Sequence, residues 1–200
     1  MIAIIDYGAG NIFSIKNALD YLGEENKLTK DKNDLVNADA IILPGVGAFP
    51  SAMKMLDESG LTETVKEQAL KKPFLGICLG MQMLFEKSYE FEECDGLGLI
   101  KGKVDLIPTK KYNIPHMGWN ELEVINDCPL SKNLNGQYVY FVHSYQAFCN
   151  EENISAQCEY DGKIPALVWN GGTVYGAQFH PEKSGSVGLD ILKNFGGLVK

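Results

Sequence analysis

Cys78, His180 and Glu182 are the residues whose types and spacing suit nucleophilic catalysis. Cys78 is the centre of Gly76-Ile77-Cys78-Leu79-Gly80, directly after the apolar stretch Pro73-Phe74-Leu75. That frame matches the G-x-S-x-G nucleophile elbow, with sulfur in place of oxygen. Glycines two positions either side allow a sharp strand-to-helix turn without Cβ clashes. The turn lifts the middle side chain to the C-terminal edge of a sheet and sets it at the start of a helix beginning near Leu79. The positive end of that helix favours the thiolate, and its free N–H groups can meet an oxyanion. Gln82, four residues on, shares the helical face of Cys78 and can reach the same pocket. Met81, Leu84 and Phe85 are expected to pack that helix on the sheet. The motif by itself suits a small buried cysteine in a tight turn equally well.

A base resolves the choice. The chain has three histidines, His116, His143 and His180, and no two have the spacing of metal ligands. His180 ends the strand-like run Thr173–Phe179, and Pro181 pushes it toward extended geometry. In an extended segment residues i and i+2 share a side, which sets Glu182 beside His180. A carboxylate there fixes the imidazole tautomer and stabilises the imidazolium, completing the roles of nucleophile, base and orienter. His116 in IPHMGWN and His143 in YFVHSY are expected to be structural or interface groups. PGVGAF, Pro44 to Phe49, places two glycines at the end of the strand AIIL. Backbone N–H groups there can approach a ligand closely, which makes the segment a candidate oxyanion strand.

The elements that must position these groups follow from periodicity. IAII, ENKLTK, AIILPG and PFLGI read as strands. SIKNALDYLG, DKNDLVNA and two stretches of SAMKMLDESGLTETVKEQALKK read as helices between them. This rhythm predicts an α/β fold with a mainly parallel central sheet flanked by helices. The second half adds antiparallel signals: Asn170-Gly171 between two apolar runs predicts a tight primed hairpin turn, and Asp161-Gly162 offers another. A closing helix is expected from about Val187 to Leu198. Residues 1–200 are expected to form a single domain.

The chain has 26 acidic and 18 basic residues, a net charge of −8, which argues against a general binder of nucleic acid or anionic membrane. Its five cysteines are odd in number and show no CxxC pair, so neither a disulfide framework nor a zinc site is suggested. The opening MIAIIDYGAG has no basic leader or long apolar run, which makes the cytoplasm the expected compartment.

PGVGAF, GICLGMQML and FHPEKS, in that order, resemble the class I (triad) glutamine amidotransferases, and the likeness runs from Asp6 to Ser184. It implies that Cys78 attacks the side-chain amide of glutamine, that His180 moves the proton, and that Glu182 orients His180. The N–H groups of Val46 and Leu79 would meet the oxyanion, and Gly47, Gln82, Glu90, Ser144 and Tyr145 would hold glutamine. No cofactor is implied. DYGAGN, PHMGWN and YFVHSY resemble members that pass ammonia to a (β/α)8-barrel cyclase subunit, forming a heterodimer. Asn11, Trp119, Tyr138 and Lys183 would then lie at the partner interface. A relative feeding a sugar-nucleotide pathway and a free-standing γ-glutamyl hydrolase are the alternatives.

Overall fold

The computed structural model describes residues 1–199. Its main sheet has eight strands. Five are parallel: β1 (Ile2–Ile5), β2 (Asn26–Thr29), β3 (Ala40–Gly45), β4 (Phe74–Cys78) and β14 (Val174–Ala177), in the order β2-β1-β3-β4-β14. The antiparallel strands β13 (Lys163–Trp169), β12 (Ile154–Glu159) and β9 (Glu123–Val124) extend it beyond β14. The mainly parallel sheet with an added antiparallel segment is therefore present.

Alternation within each strand feeds two cores. Ile2 and Ile4 of β1 pack with Ile15 and Leu19 of α1 (Ile12–Tyr21) and with Ile191 and Phe195 of α6 (Gly185–Gly196). Ala3 and Ile5 face the other way. They share a cluster with residues of α2 (Lys32–Asn37), α3 (Phe49–Glu58) and α4 (Thr62–Ala69). A strand covered on both faces must be apolar throughout, which is why IAII and AIIL read as continuous runs. Among the described residues, no helix is long and apolar enough to cross a membrane.

Two expectations are corrected. The helix after Cys78, α5, is one turn, Leu79–Gln82, and Phe85 already opens a strand. Leu84 and Phe85 are fully buried as expected, but outside that helix. The Asn170-Gly171 hairpin has a four-residue connection between Trp169 and Val174. Asn170 Oδ1 accepts from the Gly172 and Val174 N–H groups, so an Asx-type bond shapes the loop instead of a two-residue primed turn. Two smaller sheets, unassigned by periodicity, occupy the middle of the chain. One pairs β8 (His116–Glu121) with β10 (Tyr138–His143). The other orders β11 (Tyr145–Phe148), β7 (Ile100–Leu106), β5 (Phe85–Ser88) and β6 (Cys94–Asp95).

Candidate active site

The strand-to-helix elbow is built from backbone contacts. Cys78 adopts φ 56° and ψ −112°, a region a residue with a Cβ enters only under strain. Two glycines permit the turn. A Cβ on Gly76 would sit 2.5 Å from the Gly80 carbonyl oxygen. One on Gly80 would sit 2.0 Å from the Leu43 carbonyl oxygen of β3. The G-x-C-x-G spacing thus lets the short helix lie directly against the neighbouring strand.

Cys78 opens into a cavity of about 350 Å³ at the C-terminal ends of β3 and β4. Val46, Gly47, Leu79, Gln82 and Glu90 line it together with Ser144, Tyr145 and His180. The structure therefore brings together every residue expected to meet the oxyanion or hold glutamine. Lys183, expected at an interface, also lines this cavity. Pro115, Val142 and His143 join the wall without having been singled out for it.

His180 is buried, and its Nδ1 lies 2.8 Å from Glu182 Oε1, whose side chain is fully enclosed. The predicted partnership is present, but its local cause differs: Pro181–Lys183 form a 3-10 turn, not an extended segment. His180 Nε2 is buried and makes no hydrogen bond, which leaves it available to the sulfur and a substrate. Burial pushes the His180 imidazolium down, but the neighbouring Cys78 sulfur and the Glu182 carboxylate outweigh it and raise the group to about 9.

Ser184 clamps this turn. Its hydroxyl donates to the His180 carbonyl at 2.6 Å and accepts from the Tyr140 N–H at 3.0 Å, while the His180 N–H donates to the Tyr140 carbonyl. Tyr7 is a second support missed by sequence reasoning. Its buried hydroxyl donates to the Pro44 carbonyl at 2.9 Å, tying β1 to the start of PGVG. Burial, with the charge of nearby Cys78, holds this phenol well above the usual range and therefore neutral. Neither had a motif to mark it, although Tyr7 lies in DYGAGN and Ser184 closes FHPEKS.

Gln82 has both amide donors engaged, by the Tyr145 carbonyl and Gln178 Oε1, so what it offers a ligand is its oxygen. Glu90 accepts from the Phe49 N–H at 2.7 Å, anchoring the start of α3, and burial raises its proton affinity. Trp119 and Tyr138 stand on β8 and β10, each 53% exposed, and Lys183 is also exposed. Asn11, by contrast, reaches inward to Glu182.

His116 and His143 are buried as structural groups. Asn120 donates through Nδ2 to the Glu159 carbonyl, which turns its oxygen toward His116 Nε2 at 2.8 Å. His143 Nδ1 donates to the Tyr145 carbonyl, and the two rings meet at 2.9 Å. Burial holds His143 down at about 3, hence neutral. The unfolded chain binds this proton first, at a pKa of about 6.5. The stability His143 contributes is therefore complete above that pH and is lost as pH falls toward about 3. The slope is up to about 1.4 kcal/mol per pH unit. His143→Gln is expected to flatten the urea midpoint against pH on the acid side; an unchanged slope would contradict a neutral buried ring.

The sequence model of the family described as Glutamine amidotransferase class-I matches residues 3–197. The chain belongs to this family. "Imidazole glycerol phosphate synthase subunit HisH" of Listeria monocytogenes serotype 4a (strain HCC23) is 53% identical over 197 residues, 98% of this chain and 94% of its own. The Bacillus cereus (strain G9842) protein of the same name is 52% identical over 202 residues, covering 100% and 96%. Two solved structures share the fold at low identity. A glutamine amidotransferase superposes with TM-score 0.78 at 23% identity, covering 100% of this chain and 99% of its own. PurLQS from Thermotoga maritima gives 0.77 at 22%, covering 100% and 98%. A cysteine at the elbow and, lining the same cavity, a histidine bonded to a glutamate are groups chemically suited to acyl transfer.

Proposed function

We propose that this chain is the glutaminase subunit of an imidazole glycerol phosphate synthase acting in histidine biosynthesis in the cytoplasm. The observation that carries the reading is that Cys78 and His180 line one cavity, with Glu182 bonded to His180 behind it. The chain is also more than half identical to proteins of that name over nearly its whole length.

Cys78 Sγ attacks the side-chain amide carbon of glutamine while the N–H groups of Val46 and Leu79 receive the oxyanion. His180, raised to about 9, already holds the proton given up by the thiol and passes it to the departing nitrogen, which leaves as ammonia. Water, activated by the same imidazole, then cleaves the glutamyl thioester and releases glutamate. Glu182 keeps the His180 Nδ1 proton in place and stabilises the imidazolium. The Gln82 oxygen and the Glu90 carboxylate suit the ligand's amino groups, while Gly47, Ser144 and Tyr145 complete the glutamine pocket.

Free ammonia would be protonated in water and lose its nucleophilicity, so a closed transfer is needed. A (β/α)8-barrel cyclase partner would receive it and form imidazole glycerol phosphate and aminoimidazole carboxamide ribonucleotide. Exposed Trp119 and Tyr138, with Lys183 and the outer edge of Asn11, suit the docking face. Glutamate release is the test, with the chain alone and then with the cyclase and its ribonucleotide ligand. Slow turnover alone and strong stimulation in the mixture are expected. Full partner-independent turnover would instead mark a free-standing γ-glutamyl hydrolase.

A further inference from the structure

Asn11 stands at the N-cap of α1, where an asparagine normally accepts from the free N–H groups of the first turn. Its side chain makes no such bond. Its Nδ2 instead donates to Glu182 Oε1 at 3.1 Å, across 171 residues of sequence, and its Oδ1 accepts from the Ser14 hydroxyl at 2.8 Å. The side chain is thus committed to the carboxylate.

Glu182 needs that donor. Its side chain is fully buried, and Oε2 has no hydrogen-bond partner. Oε1 receives two donors, the His180 Nδ1–H and the Asn11 amide. An enclosed carboxylate held by few donors can rotate about its terminal bond. That rotation would remove the acceptor that fixes the His180 tautomer. Among the described residues no lysine is bonded to Glu182 to replace the amide, so Asn11 is the group that keeps this oxygen aimed. The Ser14 hydroxyl in turn fixes which end of the Asn11 amide faces Glu182, since it donates to Oδ1.

We infer that Asn11 is a positioning residue of the amidotransferase site, holding Glu182 aimed at His180 through the Ser14–Asn11–Glu182–His180 hydrogen-bond chain. The inference rests on the reading of Cys78, His180 and Glu182 as a triad. It places an element of the site in the β1–α1 turn, a segment that carries none of the three residues. Asn11 is only half-buried, so its outer edge stays available to a docking partner while its amide serves the triad.

The test compares Asn11→Ala, Asn11→Leu and Glu182→Gln with the parent chain. Asn11→Leu keeps roughly the volume but carries no donor. Glutamine turnover is measured with saturating cyclase and ribonucleotide ligand, and the His180 ring is titrated by nitrogen NMR in the chain alone. Both Asn11 variants are expected to lose about 10- to 100-fold in kcat with little change in KM, the range seen when an orienting outer-shell partner is removed. The His180 midpoint should fall from about 9 toward the ordinary histidine value. Melting temperatures should stay close to the parent's, because no cap bond is lost. An Asn11→Leu chain with parental kcat and His180 midpoint would overturn the inference and leave the triad standing. Parental turnover in Glu182→Gln would overturn the triad reading itself.

Discussion

Cys78→Ala is expected to abolish glutamine hydrolysis, by about 10⁴-fold or more, while the chain stays folded and still binds glutamine. In the proposed mechanism the sulfur forms the bond, and Cys78 lines the cavity beside His180. Folding should survive because Cys78 already sits at φ 56°, and alanine meets the same backbone strain with a smaller side chain. A second readout accompanies the loss. His180 is held at about 9 against burial by Cys78 and Glu182 together. With the sulfur gone, burial faces Glu182 alone, so the His180 midpoint should move down. The sign for stability follows from linkage. A raised imidazolium contributes stability that is complete below about pH 6.5 and is lost as pH rises through the folded value. In Cys78→Ala that loss should still begin near pH 6.5 but finish at lower pH and be smaller in total. Glutamate release and a His180 titration check both parts. Residual hydrolysis near the parental rate would remove Cys78 from the mechanism.

The fold was legible where local pattern and tertiary environment agree. IAII and AIILPG are strands buried on both faces, and such strands advertise themselves as unbroken apolar runs. The two central sheets did not, for a physical reason. β7 is Ile-Lys-Gly-Lys-Val-Asp-Leu and β8 is His-Met-Gly-Trp-Asn-Glu, with two buried positions in the first and one in the second among polar residues and glycines. Their partners lie far along the chain: Val104 pairs with Ala147, and Trp119 with Tyr140. Short-range periodicity carries no record of such pairing. The candidate site divides the same way. The elbow is visible because its glycines stand two residues either side of Cys78, even though the contact that requires Gly80 is with distant Leu43. The His180–Glu182 pairing was anticipated through a wrong intermediate, an extended segment where a 3-10 turn delivers the same contact. Asn11 had been expected at an interface, and its bond to Glu182 was invisible because the two are 171 residues apart. Tyr7 and Ser184 were hidden for the same reason, since each acts on the backbone of a distant element.

Gly80→Ala is expected to damage both stability and turnover, although it adds one methyl group far smaller than the cavity. The new Cβ would lie 2.0 Å from the Leu43 carbonyl oxygen, 2.9 Å from the Leu43 carbonyl carbon and 3.2 Å from that of Pro44. All three are backbone atoms of β3, so no side-chain rotation relieves the clash. The strand and the helical turn must part instead. Overpacking of this kind costs about 1–3 kcal/mol, and contact with a central strand places Gly80→Ala at the upper end. The displacement has a direction that matters for chemistry. Leu79, whose N–H is assigned to the oxyanion, precedes Gly80, and Val46 follows the β3 strand that the methyl would push away. Separating these two donors by about 1 Å is expected to lower kcat by about 10²-fold in the molecules that remain folded. Gly197 supplies the contrast: it has a helical φ of −68°, and a Cβ there meets nothing within 4 Å. Gly197→Ala should therefore leave turnover unchanged and shift the urea midpoint little, or slightly upward. Equal behaviour of the two variants would mean that the elbow yields to a methyl group, and that the spacing of glycines around Cys78 does not hold the two oxyanion donors in register.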